Sequence, residues 1–404
     1  MKFINSPNEI IRDWYKKRKL ARDLFGRMKV TMLNPQFTYQ NEYNKGELQW
    51  VEKITGTASA THDPTDATVK LKVSAAGDKI IRQTIKYMRY FSGKSSQCTM
   101  TFYTDAMDAD TVFRAGYFDD HNGVFFERDD STEYVVVRNN GVDQKTERSE
   151  WNRDILRGFD FDKSVILQIN LQWLGVGVVQ FIVQKPNGEL VIVHENQGSG
   201  FLESTYMRTA NLPIRYELEA TAEYAGSGSE AKQICAAYGH EDGSCGEVSK
   251  YRHTANNGIT AASVTTTKRA IIAIRPKAEF EGIANRSDVR PSAIDLLVGG
   301  ANIQWETVYN PTLTGEVTWI SAGDDSPIEY SVDVNTYTGG TIFRSGFVSQ
   351  GSGNTRTAVS SNVQDNYPLG LDVDGANPTS IAIVARSFSG TATVSAAIGF
   401  EEIY

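Results

Sequence analysis

Cys235, His240 and Cys245 stand at equal intervals in the pattern Cys-x4-His-x4-Cys. Thiolates and an imidazole are zinc ligands, and three of them would leave a tetrahedral site one donor short. The spacing matches no common zinc module, and the nearest further His or Cys is His253. The two cysteines could instead close a disulfide, which spacing alone does not decide. The simpler reading is a loop with one or two buried thiols, and no metal or cofactor is assigned.

Carboxylates recur in pairs: Asp119 with Asp120, Asp129 with Asp130, Asp160 with Asp162, Asp324 with Asp325, Asp372 with Asp374. A glycosidase places two carboxyls across a sugar, ~5–10 Å apart. Neighbours in sequence do not establish that geometry, and acids that cap turns account for such pairs more simply. Asp372-Val373-Asp374-Gly375 has part of a calcium loop. Aligned on that Gly, the first and last ligand positions hold Gly370 and Ile381, which bring no carboxylates. Gly93-Lys94-Ser95 ends like a phosphate-binding loop, but Met88 stands where the opening Gly belongs. Neither H-E-x-x-H nor G-x-S-x-G is present. The expectation is therefore a non-enzyme.

Aromatic faces offer a different chemistry, because rings stack on the C–H groups of pyranoses. Trp173 and Trp305 lie in strand patterns and read as core. Trp151, and Trp319 with Asp324 and Asp325 in the loop after it, are the candidate glycan contacts. The plainer reading of Trp151 is a cap over the core.

The elements that must position these residues are strands. The chain has 404 residues, 34 Gly against 11 Pro, and 10% aromatics, a mix that favours β structure with tight turns. From residue 34 apolar side chains alternate with period 2, and Asn-Gly recurs at 122–123, 140–141, 187–188 and 257–258 as a hairpin signal. Residues 171–183 read as one strand with Gly175 and Gly177 where something passes close, joined by a turn at 184–188 to a strand over 189–193. Loss of periodicity around Glu279–Ser287 places a boundary there. The expected fold is mainly β, with two jelly-roll-like β-sandwich domains over 34–288 and 289–404, after a short amphipathic helix in 1–33.

That helix opens with Ser6-Pro7-Asn8-Glu9, a capping box with Pro at the first helical position. Residues 12–29 carry a balance of +6, which leaves −14 for the rest of a chain whose net charge is −8. A stripe containing Ile11, Trp14, Tyr15 and Phe25 lies beside Lys16, Lys17, Arg18 and Arg22. These residues could meet an anionic membrane, nucleic acid or an acidic protein surface, or form a solvated basic face packed on the chain's own body. Among the functional readings, docking on a protein is preferred, with residues 1–30 as an anchor. An acidic chain argues against wholesale nucleic-acid binding. No apolar run approaches the ~20 residues that span a bilayer.

Several long strings resemble a group of virion structural proteins of tailed bacteriophages, many of them aquatic. They are 83–95, Arg114–Glu127, Trp151–Asp154, Gln172–Gly177, Asn211–Glu217 and the end Phe400–Tyr404. The sequence departs from that pattern at Phe91, where Pro is usual, and around Ala236–His240. The resemblance implies a place in the virus particle and supplies no catalytic residues. It implies assembly in the host cytoplasm, capsid or tail proteins as partners, and a homo-oligomer, with a trimer expected. The role expected is a non-enzymatic outer component, such as a head decoration, a fibre or a tail appendage. The alternatives are a receptor-recognition protein that binds host-surface glycan and, behind it, a polysaccharide depolymerase.

Overall fold

The computed structural model describes residues 33–241, 251–315, 317–350, 357–362 and 367–403. The basic segment with Ile11, Trp14, Tyr15, Lys16, Lys17, Arg18, Arg22 and Phe25 lies outside the described residues, as does Cys245. Among the described residues the only helical piece is a 3-10 turn at Arg148–Glu150. No helix among them is long and apolar enough to cross a membrane.

The chain forms two compact units, Met1–Thr84 with Met88–Cys245, and Ile85–Tyr87 with Gly246–Tyr404. The first contains β1 (Leu33–Gln40), β2 (Trp50–Thr55), β3 (Ser59–Asp63), β4 (Thr68–Val73), β5 (Lys79–Thr84), β6 (Ser96–Thr104), β7 (Thr111–Phe118) and β8 (Asn122–Asp129). It continues with β9 (Thr132–Asn139), β10 (Val142–Glu147), β11 (Ser164–Leu171), β12 (Val179–Gln184), β13 (Leu190–Glu195), β14 (Ile214–Ala220) and β15 (Ser229–Glu241). One sheet has the order β13-β12-β11-β6-β15-β4-β3, with β1 also on β15; the other runs β10-β9-β8-β7-β14-β5-β2. Every pairing is antiparallel, and the chain changes sheet at β1–β2, β2–β3, β4–β5, β5–β6, β6–β7, β10–β11, β13–β14 and β14–β15.

Alternation builds the core between these sheets. Cys98, Met100 and Phe102 of β6 point inward with Val165, Leu167 and Ile169 of β11, against Phe113, Ala115 and Tyr117 of β7 and Phe126 of β8. Phe102 packs on both Phe113 and Phe126, with ring centroids 5.0 and 5.7 Å apart.

The outward face of the β7–β8–β14 region is also buried, and it carries charges. Arg114 binds Glu127 at 2.7 Å, Glu219 at 3.0 Å and Glu217 at 3.3 Å, while Arg215 reaches Glu217 at 3.0 Å and Gln83 at 2.8 Å. A buried carboxylate is tolerated there because each has a cation beside it.

The second unit contains β16 (Tyr251–Asn256), β17 (Ala262–Val264), β18 (Arg269–Pro276), β19 (Glu279–Phe280), β20 (Ile283–Ala284), β21 (Asp288–Gly299), β22 (Ile303–Tyr309) and β23 (Thr312–Thr314). After these come β24 (Ile320–Ser321), β25 (Ile328–Ser331), β26 (Thr336–Thr338), β27 (Thr341–Val348), β28 (Thr357–Asn362), β29 (Ile381–Ser387) and β30 (Ala392–Ile403). A five-stranded sheet, β16-β30-β21-β28 with β17 on β30, faces a six-stranded one, β24-β25-β18-β29-β22-β27. Ile272, Ile274, Leu296, Ile303, Trp305 and Phe400 lie in the core between them.

Both units are thus β-sandwiches, but the division differs from the expected 288/289. Residues 251–276 belong to the second sandwich, because β16 pairs with β30 and β18 pairs with β29 near the end of the chain. The loss of periodicity near 280 marks only the small β19–β20 hairpin inside that unit.

Two local readings are also corrected. Residues 171–183 are not one strand: β11 ends at Leu171, and a tight loop over 172–178 precedes β12. What passes close to Gly177 is its own loop, since a Cβ there would lie 1.6 Å from the Gln172 carbonyl oxygen. Of the Asn-Gly pairs, 140–141 forms the two-residue hairpin turn, with φ of 49° and 79° between paired Asn139 and Val142. Asn122-Gly123 instead opens β8, and Asp119 caps the preceding turn through the N–H groups of His121 and Asn122, both at 2.8 Å.

Asp78 ties two turns of the first sandwich together. Its carboxylate accepts from Thr57 N at 2.6 Å, Thr57 Oγ1 at 2.7 Å, Ser74 N at 2.8 Å and Ala75 N at 2.9 Å. Burial pushes its pKa up, but these hydrogen bonds outweigh burial and bring it to about 2, below its ordinary 3.8. A folded value below the unfolded one gives stability that is present above pH ~4 and is lost as pH falls through ~2. Asp78→Ala is expected to cost about 3 kcal/mol at pH 7, the scale of a buried acceptor with several donors left unpaired. The difference from wild type should shrink at acid pH, as read by denaturant unfolding at pH 7 and pH 3.

Candidate functional site

The first sandwich carries an open cleft of about 980 Å³, walled by 151–160 and by the turn of the β12–β13 hairpin. Ser164 and Ile166 at the start of β11 and Gln184 at the end of β12 also line it. A second cleft of about 290 Å³ adjoins it, and Asn152 and Arg153 line both.

The 151–160 segment has no strand of its own and is held by side chains. Arg148 donates from Nε to the carbonyl of Ile155 at 2.8 Å and from Nη2 to those of Leu156 and Phe159, the last at 3.2 Å. The same guanidinium pairs with Glu133 at 3.2 Å and lies 4.8 Å from the Phe161 ring centre. Arg128 holds the far end, donating to Phe161 O at 3.1 Å and pairing with Asp162. Asn152 ties the near end to β13 by donating to Glu195 O at 2.8 Å and accepting from Glu195 N at 3.0 Å. Leu156 takes a left-handed φ of 51° yet is fully buried in the core. Its burial, worth roughly 2 kcal/mol, offsets a backbone cost of roughly 1–2 kcal/mol.

Burial pushes the Asp154 carboxyl upward, but hydrogen bonds from Lys185 at 3.0 Å and from the Leu156 N–H at 2.8 Å outweigh it and hold the pKa below the ordinary value. Asp154 therefore remains ionised at neutral pH and is a poor general acid. His194 sits behind the cleft. Burial pushes its imidazole down despite the Glu195 charge, and its Nδ1 faces the Asn152 N–H at 3.4 Å.

The proposed glycan contacts are divided between the two units. Trp151 lines the main cleft but is only 5% exposed, with its indole N–H on Thr146 O at 3.2 Å. It is part of the core, packed edge-on against Phe161, and offers no open ring face. The aromatic side chain with partial access to the cleft is Phe159, which its position in a charged loop did not single out. Trp319, Asp324 and Asp325 belong to the second unit. Arg275 stacks over Trp319 at 4.0 Å and is itself held by Glu329 at 2.6 Å, so that ring face is taken. Asp324 and Asp325 are exposed in the turn between β24 and β25.

Cys235 and His240 both lie on β15, five residues apart, and so project to opposite faces. They cannot hold one ion together. Cys235 contacts Thr101 Oγ1 at 3.4 Å, whereas buried His240 faces Gln36 at 2.8 Å and packs on Phe91 at 4.4 Å. Among the described residues no three His, Cys, Asp or Glu side chains group as metal ligands would.

The second unit brings together the residue types of a hydrolase triad in the wrong order. Ser326 Oγ donates to Glu402 Oε1, and His253 Nε2 lies 3.4 Å from Glu402 Oε2. The carboxylate stands between hydroxyl and imidazole, so the imidazole is not placed to take the serine proton. Burial and the Asp325 charge push the Glu402 carboxyl up, against the Ser326 hydrogen bond and the neighbouring His253 and Lys277.

No protein-family model and no curated protein matches the sequence. Among solved structures the chain is similar to the carbohydrate recognition domain of Emp47p, at 10% identity and a TM-score of 0.36, over 52% of this chain and 97% of that one. It is similar to lectin I-B4 of Griffonia simplicifolia in its metal-free form, at 11% identity and a TM-score of 0.32, over 51% of this chain and 100% of that one. It is also similar to a glycosyl hydrolase family protein of Mycobacterium fortuitum, at 10% identity and a TM-score of 0.37, over 51% of this chain and 99% of that one.

Arg148→Ala should release the cleft wall, so that trypsin cuts at Arg153 or Arg157 at least ~10-fold faster in limited proteolysis while the rest of the body stays resistant. Glu402→Gln keeps the acceptor for Ser326 and removes the ionisation. A raised folded pKa means stability that is complete below ~4.5 and is lost as pH rises through the folded value. The variant should therefore melt higher than wild type at pH 8, with the gain vanishing towards pH 4.

Proposed function

We propose that this chain is a non-enzymatic, glycan-binding outer component of a tailed-phage particle, with the cleft of the first sandwich as its binding site. The observation that carries the binding reading is the cleft itself. It is open, of a size for a short run of sugar rings, and walled by fixed amide, hydroxyl and charged groups with Phe159 among them. Such a surface can hydrogen-bond sugar hydroxyls while a ring covers their C–H faces. The state of the acids supports binding over hydrolysis. Asp154 is tied to Lys185, and Asp160 accepts from the Asp162 N–H at 2.9 Å as a turn cap. Hydrolysis needs a protonated carboxyl opposite a second one. The place in a virion rests on the sequence strings described above, and trimeric assembly is part of the same proposal.

Affinity electrophoresis of the purified protein in gels of host-surface and reference polysaccharides tests the binding. At least one polysaccharide should retard it, and Phe159→Ala should weaken that retardation at least ~5-fold without a change in Tm above about 3 °C. Absence of retardation in every polysaccharide would sink the reading. Reproducible release of reducing sugar, lost on Asp154→Asn or Asp160→Asn, would replace it with a depolymerase. Attachment is tested separately: protein lacking residues 1–30 should fold yet fail to join particles, and normal incorporation would remove the anchor role.

A further inference from the structure

The clefts have a charge character opposite to that of the chain. The net charge is −8, yet Arg153, Arg157, Lys163 and Lys185 line the main cleft with only Asp154 and Asp160 against them. Lys185 is matched by Asp154 at 3.0 Å, and Arg153 by Glu195 in the smaller cleft. Arg157 and Lys163 are exposed and make no ion pair among the described residues.

Arg153 has a special place. It stands where the two clefts meet, with its side chain 46% exposed, and it is braced from behind. Glu195 takes Arg153 on one oxygen and Gln180 Nε2 on the other at 2.7 Å. Gln180 in turn faces Asn170 at 3.4 Å, and Asn170 accepts from Gln168 at 2.8 Å. These three amides are buried, so the chain of hydrogen bonds from β11 across β12 to β13 fixes the carboxylate that aims the guanidinium. A guanidinium has five donors in a planar fork, and a single carboxylate leaves some of them facing solvent.

We propose that the ligand is an acidic polysaccharide whose carboxylate or sulfate groups meet Arg153 at the junction of two subsites and Arg157 and Lys163 in the larger one. This rests on the glycan-binding reading above and names its chemical class. An acidic protein repels a polyanion at long range, and at physiological salt charges screen over ~8 Å. Retention of a polyanion by this chain therefore requires a local cationic site, either the cleft or the basic stretch 12–29, and only the first is lost with Arg157 and Lys163.

The test compares polygalacturonate with its carboxyl-reduced, neutral counterpart, and dextran sulfate with dextran, by affinity electrophoresis and calorimetry at 50 and 300 mM salt. The acidic partner of at least one pair should bind ~10-fold or more tightly than the neutral one, with affinity falling at high salt. The pair that responds tells carboxylate from sulfate. Arg157→Glu with Lys163→Glu should abolish the preference, and Arg153→Gln should reduce it at least ~5-fold. A control with the same charge change on exposed residues outside the clefts, Lys72→Glu with Arg208→Glu, should leave most of it. Equal binding of acidic and neutral polymers, lost on Phe159→Ala, would overturn the acidic ligand and leave the cleft as a glycan site. Loss of the preference to the same extent in the control pair would overturn the cleft as its origin. Failure of every polymer to bind would overturn both readings.

Discussion

Arg148 is the contact on which the surface of the first sandwich depends. A loop that leaves a sheet edge has carbonyls with no ladder to satisfy them, and water is their default partner. Here one guanidinium gathers the carbonyls of Ile155, Leu156 and Phe159, keeps Glu133 as its counter-charge and lies on the ring of Phe161. Arg128 performs the same task for Phe161 and Asp162. The cleft is the space left between a wall fixed in this way and the β12–β13 turn. Its shape belongs to the folded state and not to the arrival of a ligand, which lowers the ordering cost of binding.

The same principle, a cation with several partners, recurs on the buried outward face of β7, β8 and β14. Arg114 serves Glu127, Glu217 and Glu219, and Lys79 adds a contact to Glu219 at 3.0 Å. Replacing such a cluster by apolar side chains is often neutral for stability. What the cluster supplies is register. Sliding β14 by one residue would turn Arg215, Glu217 and Glu219 into the apolar core and bring Tyr216 and Leu218 out of it. The charges thus act against wrong pairings in a sheet whose strands are otherwise alike.

Most of the architecture was legible in the sequence, because alternation with period 2 and turn chemistry are local. Strand content, a sandwich class and the Asn140-Gly141 hairpin all follow from neighbours along the chain. The boundary between units was not legible. It depends on β16 and β18 finding β30 and β29 more than a hundred residues later, and no local pattern records that choice. The loop over 172–178 was misread for a related reason: its apolar residues alternate as a strand would, and only its own closure on Gln172 ends the strand.

The site shows the same limit more sharply. The sequence by itself determined which residue types were available: aromatics near charged loops, no hydrolase or zinc motif of known spacing, and a strongly acidic body after a basic start. That Cys235 and His240 share a strand and face apart came from the structure, since their spacing read as a loop. Only the tertiary structure decided that Trp151 is core while Phe159 borders the cleft, and that Arg275 covers Trp319. Only it decided that Arg153 stands between two clefts, aimed by Glu195 and three buried amides. The physical reason is that burial, charge pairing and cavity shape are properties of segments distant in sequence brought within a few ångströms. Alternation assigns a side chain to a face, but what lies opposite that face is settled by the packing of the whole chain.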